Sequence, residues 1–118
     1  MQPFTAWVRK PGQAFSQALS EHPKKNTIDL TLALQQHKHY VEALEQVGGK
    51  VEYLPTQDLL ADATFVEDTA VILEDNVLLC PMKELSRQGE VPSSAMALKI
   101  YRDCITLNPP ATLDGGDV

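Results

Sequence analysis

One long amphipathic segment, residues 28–47, constrains the fold of this chain more than any other feature. Thr27 is placed to cap the start of a helix, and Asp29 lies in the first turn, where its charge suits the helix dipole. Gly48 and Gly49 end the pattern, as is typical of a helix C-terminus. Apolar residues recur along one helical face, at Leu30, Ala33, Leu34, Tyr40, Val41, Leu44 and Val47. The pattern predicts an amphipathic helix.

Short β-prone runs lie on either side of this helix. Phe4–Val8 is rich in aromatic and β-branched residues and predicts a strand, which Pro11 and Gly12 end. Residues 15–19 suit a single helical turn. After the helix, residues 51–54 predict a second strand, closed by the proline that follows. The order strand, helix, strand predicts an α/β arrangement.

The second half of the chain repeats this order after a predicted hairpin. Two apolar runs, residues 69–73 and 77–80, are separated by residues 74–76 (EDN), which are good turn residues. A weaker helix is predicted over residues 93–103, and a short strand over residues 105–107. The residues of that helix expected to face inward are Ala97, Leu98 and Tyr101. The sequence therefore predicts two small α/β units of similar construction.

Charge and composition exclude several classes of function. The chain has 16 acidic and 10 basic residues, and this balance argues against a nucleic-acid binder, which needs a basic face. No apolar run approaches the ~20 residues that cross a bilayer, and the first residues are not a signal peptide. Cys80 and Cys104 lack the spacing of a zinc site or a disulfide framework. We expect a cytoplasmic protein with no metal, no cofactor, and no nucleic-acid or membrane partner.

Two acidic motifs are the candidates for chemistry: residues 62–71 (DATFVEDTAV) and residues 113–117 (LDGGD). Glu67 and Asp68 are adjacent carboxylates within an apolar stretch, where burial without partners is costly. One interpretation is a loop that holds both acids in water. The other is a group of carboxylates that binds a planar cation, because a guanidinium offers five N–H donors in a rigid fork. The double glycine permits close approach of backbone to a ligand or to another strand, although a simple turn also explains it.

Together the two motifs resemble one enzyme family. Phe-Val-Glu-Asp-Thr-Ala-Val, residues 65–71, and Ala-Thr-Leu-Asp-Gly-Gly-Asp-Val, residues 111–118, are similar to the dimethylarginine dimethylaminohydrolase family of the arginine deiminase and amidinotransferase superfamily. The likeness continues through residues 6–9 (AWVR), 36–41 (QHKHYV) and 86–90 (SRQGE). It covers nearly the whole chain in collinear order, so the resemblance is specific.

The resemblance implies a fold and a reaction. The family fold is a five-bladed α/β propeller, the pentein fold, and residues 1–118 would supply roughly its first two ββαβ-type units as the N-terminal portion of one domain. Family enzymes attack the guanidinium carbon of a methylated arginine with a cysteine, form a covalent intermediate and release an amine. Water then yields citrulline. The implied partner is a small guanidine substrate, and incomplete propeller edges predict a homo-oligomer.

The resemblance also assigns residues to the guanidinium end of the substrate. Glu67 and Asp68 match substrate-binding acids of the family and would face the guanidinium. Asp114 matches the acid of the (D/E)GGD motif, which lies beside the guanidinium and has a catalytic role. These three carboxylates would hold and orient the cationic carbon that the nucleophile attacks.

Three further residues are assigned to the amino-acid end of the substrate. Asp62 matches an acid that helps to hold this end, and Leu19 matches a position whose backbone carbonyl accepts from the substrate amine. Arg87 matches the arginine that pairs with the substrate carboxylate. Without the resemblance, Leu19 would be interpreted as a core residue and Arg87 as a surface charge.

In the family that this sequence resembles, the catalytic histidine and the nucleophilic cysteine lie at positions that follow the one matched by Val118. Asp117 and Val118 are expected to enter a further strand. The three histidines present are interpreted as structural or solvated residues, namely His22, His37 and His39. Cys80 and Cys104 do not match the context of the nucleophile and are interpreted as small buried residues. We expect the substrate-binding part of an enzyme, inactive by itself. The alternatives are a non-catalytic module that binds arginine-like cations or a partner chain, and another guanidino-modifying enzyme such as a deiminase or an amidinotransferase.

Overall fold

Two parallel strands joined through one helix build the first of two compact units. This unit ends at Thr64 in the computed structural model, which describes residues 2–24 and 27–118. Its elements are strand β1 (Phe4–Val8), helix α1 (Leu30–Gln46) and strand β2 (Gly49–Tyr53). The predicted order is confirmed, and β1 has the predicted bounds. β2 begins before the predicted 51–54 because residues from Gly49 onward already pair with β1.

The start of α1 differs from the prediction. Asp29 is the N-cap, and its side chain accepts a hydrogen bond from the Leu32 N–H over 3.2 Å. The predicted cap, Thr27, instead donates its hydroxyl proton to the Lys24 carbonyl over 2.7 Å, so that prediction is wrong. At the other end, Gly48 has a φ of 96°, the left-handed conformation that favours glycine, and the predicted helix end is confirmed.

The buried face of α1 is narrower than the predicted stripe. Val41 is buried and Leu44 is half-buried, because α1 packs on β2. Leu34, Tyr40 and Val47 were predicted to face inward, but all three are exposed, and Tyr40 retains 55% of its accessible surface. A sheet of two strands covers only a narrow line of side chains on a helix, so the outer apolar positions stay uncovered.

A hairpin followed by a helix and a parallel strand builds the second unit, Phe65–Val118. Its elements are β3 (Ala70–Ile72), β4 (Asn76–Leu79), α2 (Val91–Leu98) and β5 (Asp103–Thr106). β3 and β4 are antiparallel, β5 pairs in parallel with β4, and the strand order is β3-β4-β5. The predicted hairpin and the repeated order are therefore confirmed, and the second unit has a ββαβ arrangement.

Four local predictions in or near short helical segments need correction. α2 ends at Leu98 and β5 begins at Asp103, so the predicted helix over residues 93–103 extends too far. Tyr101, predicted to face inward, is 57% exposed because it lies after the helix ends. The first helical turn is a 3₁₀ helix at Gln13–Gln17, and Gly115–Asp117 is another instead of a strand entrance.

The apolar cores belong to the separate units. In the first unit the buried apolar residues are Val8, Val41, Leu54 and Ala63. In the second unit they are Val77, Leu79, Cys80, Met82 and Leu98. Among residues 2–24 and 27–118, no helix is both long enough and apolar enough to span a membrane.

Candidate functional site

Asp68 lies at the end of a short 3₁₀ segment, Val66–Asp68, which we call the acidic turn. Its side chain is 22% exposed and holds two hydrogen bonds. Oδ2 accepts from Arg87 Nη1 over 2.8 Å, and Oδ1 accepts from the Gly116 N–H over 3.1 Å. The carboxylate is therefore fixed in orientation from both sides while part of it still faces solvent.

Arg87 is deeply buried, with 6% of its surface exposed, in the 3₁₀ helix Leu85–Glu90. Its Nε and Nη2 donate to the two carboxylate oxygens of Glu90, each over 2.9 Å. This is the bidentate geometry that suits a guanidinium and a carboxylate. Nη2 also lies 3.4 Å from the Phe65 carbonyl oxygen. We call Asp68, Arg87, Glu90 and the Gly116 amide the Asp68 cluster.

The two carboxylates keep Arg87 charged. Burial by itself lowers the pKa of Arg87, since it disfavours the charged form. Hydrogen bonds to Glu90 and Asp68, and the negative charges of both, outweigh that effect and raise the pKa above its ordinary value. The interpretation of Arg87 as a solvated surface charge is wrong. The Arg87 side chain is buried and lies between two acids, Asp68 and Glu90.

The double glycine is explained by the acidic turn. Gly115–Asp117 forms a second 3₁₀ segment, which we call the glycine turn. A Cβ at Gly115 would lie 2.6 Å from the Glu67 carbonyl oxygen, and a Cβ at Gly116 would collide with Asp68 Oδ1. The backbone approaches another segment closely, as predicted, but the neighbour is a 3₁₀ segment and not a strand. Its neighbour is the segment that carries the other acidic motif.

The remaining acids of the second unit have different surroundings. Glu67 is exposed, in agreement with the interpretation of a loop acid in water, whereas Asp114 is half-buried at the start of the glycine turn. Cys80 is fully buried, and burial is the largest cause of its raised pKa. A hydrogen bond from the Val71 backbone opposes this shift, and the charges of Asp114 and Asp68 add to it. The interpretation of Cys80 as a small buried residue is confirmed.

In the first unit, the structure brings together two of the predicted residues. Asp62 is buried, and both of its carboxylate oxygens accept from the Leu19 N–H over 3.2 Å. The Leu19 side chain is exposed, so its interpretation as a core residue is wrong. The contact fixes the backbone at Leu19 against the acid.

Two buried charged residues were not among the predicted site residues. Arg9 directly follows β1, and its guanidinium donates to the carbonyl oxygens of Pro55 and Ala63, each over 2.9 Å. These two hydrogen bonds stabilise both ends of the loop that carries Asp62. Glu90 has no exposed surface. The signal for Glu90 was its spacing: residues three apart on a helical turn are neighbours, and Arg87 stands three residues earlier.

Other potential sites in the described residues are of a different kind. Residues 2–24 and 27–118 contain no group of three or more His, Cys, Asp or Glu side chains that would hold a metal ion. The second unit has an apolar cavity of about 590 Å³. Its lining, which includes Leu79, Met82, Val91 and Pro109, contains no acidic residue. The carboxylates therefore remain the chemically distinctive feature.

Comparison with known proteins agrees with these features. The sequence profile of eukaryotic N,N dimethylarginine dimethylhydrolases matches residues 9–103, which is most of the chain. The chain belongs to the dimethylarginine dimethylaminohydrolase family. It is 34% identical over 116 residues to the N(G),N(G)-dimethylarginine dimethylaminohydrolase of Streptomyces coelicolor. That match covers 96% of this chain and 44% of the relative, so the chain spans under half of the relative's length.

Solved structures show the same fold. A cysteine-to-serine mutant of the family enzyme from Pseudomonas aeruginosa, in complex with citrulline, superposes with a TM-score of 0.91 at 23% identity. The match covers 96% of this chain and 45% of that structure. The N-terminal domain of a cyanobacterial arginine dihydrolase, ArgZ, gives a TM-score of 0.82 at 16% identity, over 94% and 42% of the two chains. These neighbours show a mixed α/β fold. Membership of the pentein superfamily follows from the family match over residues 9–103.

Proposed function

We propose that this chain supplies the substrate-binding carboxylates of an amidino-group hydrolase, which cleaves Nω-methylated arginine to citrulline and an amine. The observation that carries the proposal is the fixed carboxylate of Asp68, held by Arg87 Nη1 and by the Gly116 N–H. Family membership supports it, since the profile match covers residues 9–103. The citrulline complex of the Pseudomonas aeruginosa relative is in keeping with this class of ligand.

The geometry of Asp68 suits a guanidinium ligand. An ionised carboxylate has about four acceptor positions, and the two hydrogen bonds described for Asp68 use one on each oxygen. The remaining positions are oriented, because the carboxylate cannot rotate without breaking both bonds. A planar cation with paired N–H donors therefore meets a prearranged acceptor, which lowers the entropy cost of binding. We assign Glu67 and Asp114 to the same guanidinium end on the family resemblance.

The assignments at the amino-acid end also rest on the resemblance. Asp62 is proposed to help hold this end, and the Leu19 backbone carbonyl is proposed to accept from the substrate amine. The hydrogen bond between Asp62 and the Leu19 N–H supports a prearranged contact. Arg87 is proposed to contact the substrate carboxylate. In the structure its guanidinium is engaged by Glu90 and Asp68, so this role requires that it serve substrate and acids together.

The covalent step needs a thiolate, and Cys80 is a poor source of one. Its thiol is buried, and burial raises its pKa, whereas catalytic cysteines have a lowered pKa and an accessible sulfur. We assign the nucleophile and the catalytic histidine, as the resemblance does, to the part of the family sequence that follows the GGDV motif. The 118-residue chain is then proposed to bind substrate without turning it over.

The proposed setting of this function is a five-bladed propeller, in which residues 1–118 form roughly the first two units of one domain. The ββαβ order of β3, β4, α2 and β5 supports it. Self-association through incomplete sheet edges is part of the proposal. Light scattering that finds only a folded species of 13.0 kDa would contradict that part. The two unpaired cysteines, Cys80 and Cys104, are in keeping with a proposed cytoplasmic location.

Titration of the chain with NG,NG-dimethyl-L-arginine tests the function. Asp68→Asn removes one charge at the proposed contact, and its matched control, Asp75→Asn, removes one charge from the exposed turn between β3 and β4 of the same unit. We expect Asp68→Asn to raise Kd by roughly 10- to 150-fold, the cost of a lost charge-assisted hydrogen bond, and Asp75→Asn to change it less than about twofold. Equal effects, or no binding by the unsubstituted chain, would overturn the proposal.

A further inference from the structure

We propose that Glu90 is a positioning residue that keeps the Asp68 cluster negatively charged and so makes the site prefer a cationic guanidine over a neutral urea. The inference rests on the proposed function, in which Asp68 contacts the guanidinium. It goes further, because it assigns a role to a side chain that reaches no substrate. It also connects Glu90 to the discrimination between substrate and product, since dimethylarginine is a cation and citrulline has a neutral urea group.

The first step is the burial of Glu90. The residue has no exposed surface, and both of its oxygens are bound by Arg87, each over 2.9 Å. A carboxylate without solvent is retained only where a cation and hydrogen bonds compensate for its lost hydration. Arg87 supplies that compensation through Nε and Nη2, which are the two donors that form the bidentate contact. Glu90 and Arg87 are therefore a tight, mutually neutralising pair.

The second step is the charge that this pair leaves on Asp68. Arg87 carries one positive charge, and it lies between two carboxylates, Glu90 and Asp68. The sum over the three side chains is −1. If Glu90 were uncharged, the charges of the same three side chains would sum to zero. The buried Glu90 thus offsets the cation that would otherwise cancel the charge of Asp68.

The third step is geometric. With Nε and Nη2 occupied by Glu90, the guanidinium plane of Arg87 is fixed, and Nη1 is directed at Asp68 Oδ2 over 2.8 Å. The Gly116 N–H holds the other oxygen. Glu90 therefore orients Asp68 through Arg87, and it does so from the 3₁₀ helix Leu85–Glu90, directly before α2.

The test compares the affinities of the 118-residue chain for L-arginine and L-citrulline, which differ in charge at the group that Asp68 contacts. Two variants separate charge from shape. Glu90→Gln keeps the shape and removes the charge, whereas Glu90→Asp keeps the charge and shortens the side chain. Each affinity is measured by calorimetry, and the Gly116 amide resonance reports whether the glycine turn still contacts Asp68.

We expect Glu90→Gln to reduce the preference for arginine over citrulline at least about fivefold, chiefly through weaker arginine binding, because the local charge falls to zero. Glu90→Asp should keep the preference within about twofold even if the chain is less stable. The double variant Arg87→Met with Glu90→Gln again sums to −1 but lacks Nη1, which holds Asp68 Oδ2, so it should regain part of the preference through charge alone. If Glu90 had only a structural role, the double variant would show no such recovery.

The outcomes separate the two proposals. If the unsubstituted chain prefers arginine and Glu90→Gln retains that preference, the role of Glu90 is overturned while the proposed function stands. If the unsubstituted chain binds neither ligand, the proposed function is overturned, and this inference falls with it. If Glu90→Gln does not fold, Glu90→Asp decides, and a preference lost in that charge-retaining variant overturns the role of Glu90.

Discussion

Gly116 donates its backbone N–H to Asp68 Oδ1 over 3.1 Å, and this contact joins the two acidic motifs of the sequence. A side chain at Gly116 would collide with that same oxygen. The glycine is therefore required by the position of a carboxylate, since its φ does not lie in the left-handed region. The LDGGD motif, residues 113–117, therefore fixes the orientation of an acid in the other motif, residues 62–71.

Gly116→Ala should consequently displace the Asp68 carboxylate. We expect a loss of about 1–3 kcal/mol in the free energy of unfolding, as for other overpacked positions. Chemical denaturation measures the loss. The matched test is the same substitution in an Asp68→Ala background, where the colliding oxygen is absent. Gly116→Ala should be nearly neutral there, and equal losses in both backgrounds would contradict the contact.

The isolated chain should release no citrulline from dimethylarginine, because binding acids do not replace an activated thiolate. A colorimetric assay for citrulline measures this directly.

Iodoacetamide followed by mass spectrometry should find Cys80 alkylated more slowly than Cys104, since burial raises the pKa of the Cys80 thiol and hides its sulfur, whereas Cys104 is half-buried. Turnover that Cys80→Ser abolishes would contradict this assignment.

His37 should make the fold less stable in mild acid. Burial, followed by the positive charge of Lys10, lowers the pKa of His37 below its ordinary value in the folded chain. The unfolded chain then binds more protons, so the stability due to neutral His37 is present above pH ~6.5 and is lost as the pH falls through the lowered folded value. His37→Gln should flatten the dependence of unfolding free energy on pH below about 6.5. His39→Gln, at an exposed position of the same helix, is the matched control.

Asp29 should contribute more to α1 than Thr27 does. Asp29→Ala removes the acceptor for the Leu32 N–H and should cost about 1 kcal/mol in the free energy of unfolding. Thr27→Ala removes only a hydroxyl that donates to the Lys24 carbonyl before the helix, and should cost less than half as much. Thermal denaturation of the two variants compares them. A larger loss from Thr27→Ala would mean that the helix begins where the sequence pattern placed it.

Local pattern was sufficient for most of the secondary structure. β1 has the predicted bounds, the β3–β4 hairpin forms at the predicted turn, and Gly48 ends α1 in the left-handed conformation. These features depend on neighbouring residues: alternation, turn chemistry and the freedom of glycine at positive φ. Helix ends were less accurate, because Asp29 and Thr27 are both good caps and only their hydrogen bonds distinguish them.

The sequence by itself determined the α/β order, the family and the residues expected to carry the chemistry, because spacing and motif are properties of the chain. Tertiary structure alone decided the partners of those residues. Gly116 and Asp68 are far apart in sequence, and no local pattern specifies that one holds the other. Burial likewise depends on what covers a face, which is why Tyr40 is exposed and Arg87 is not. Whether an acid binds solvent, backbone or arginine is settled only when distant segments meet.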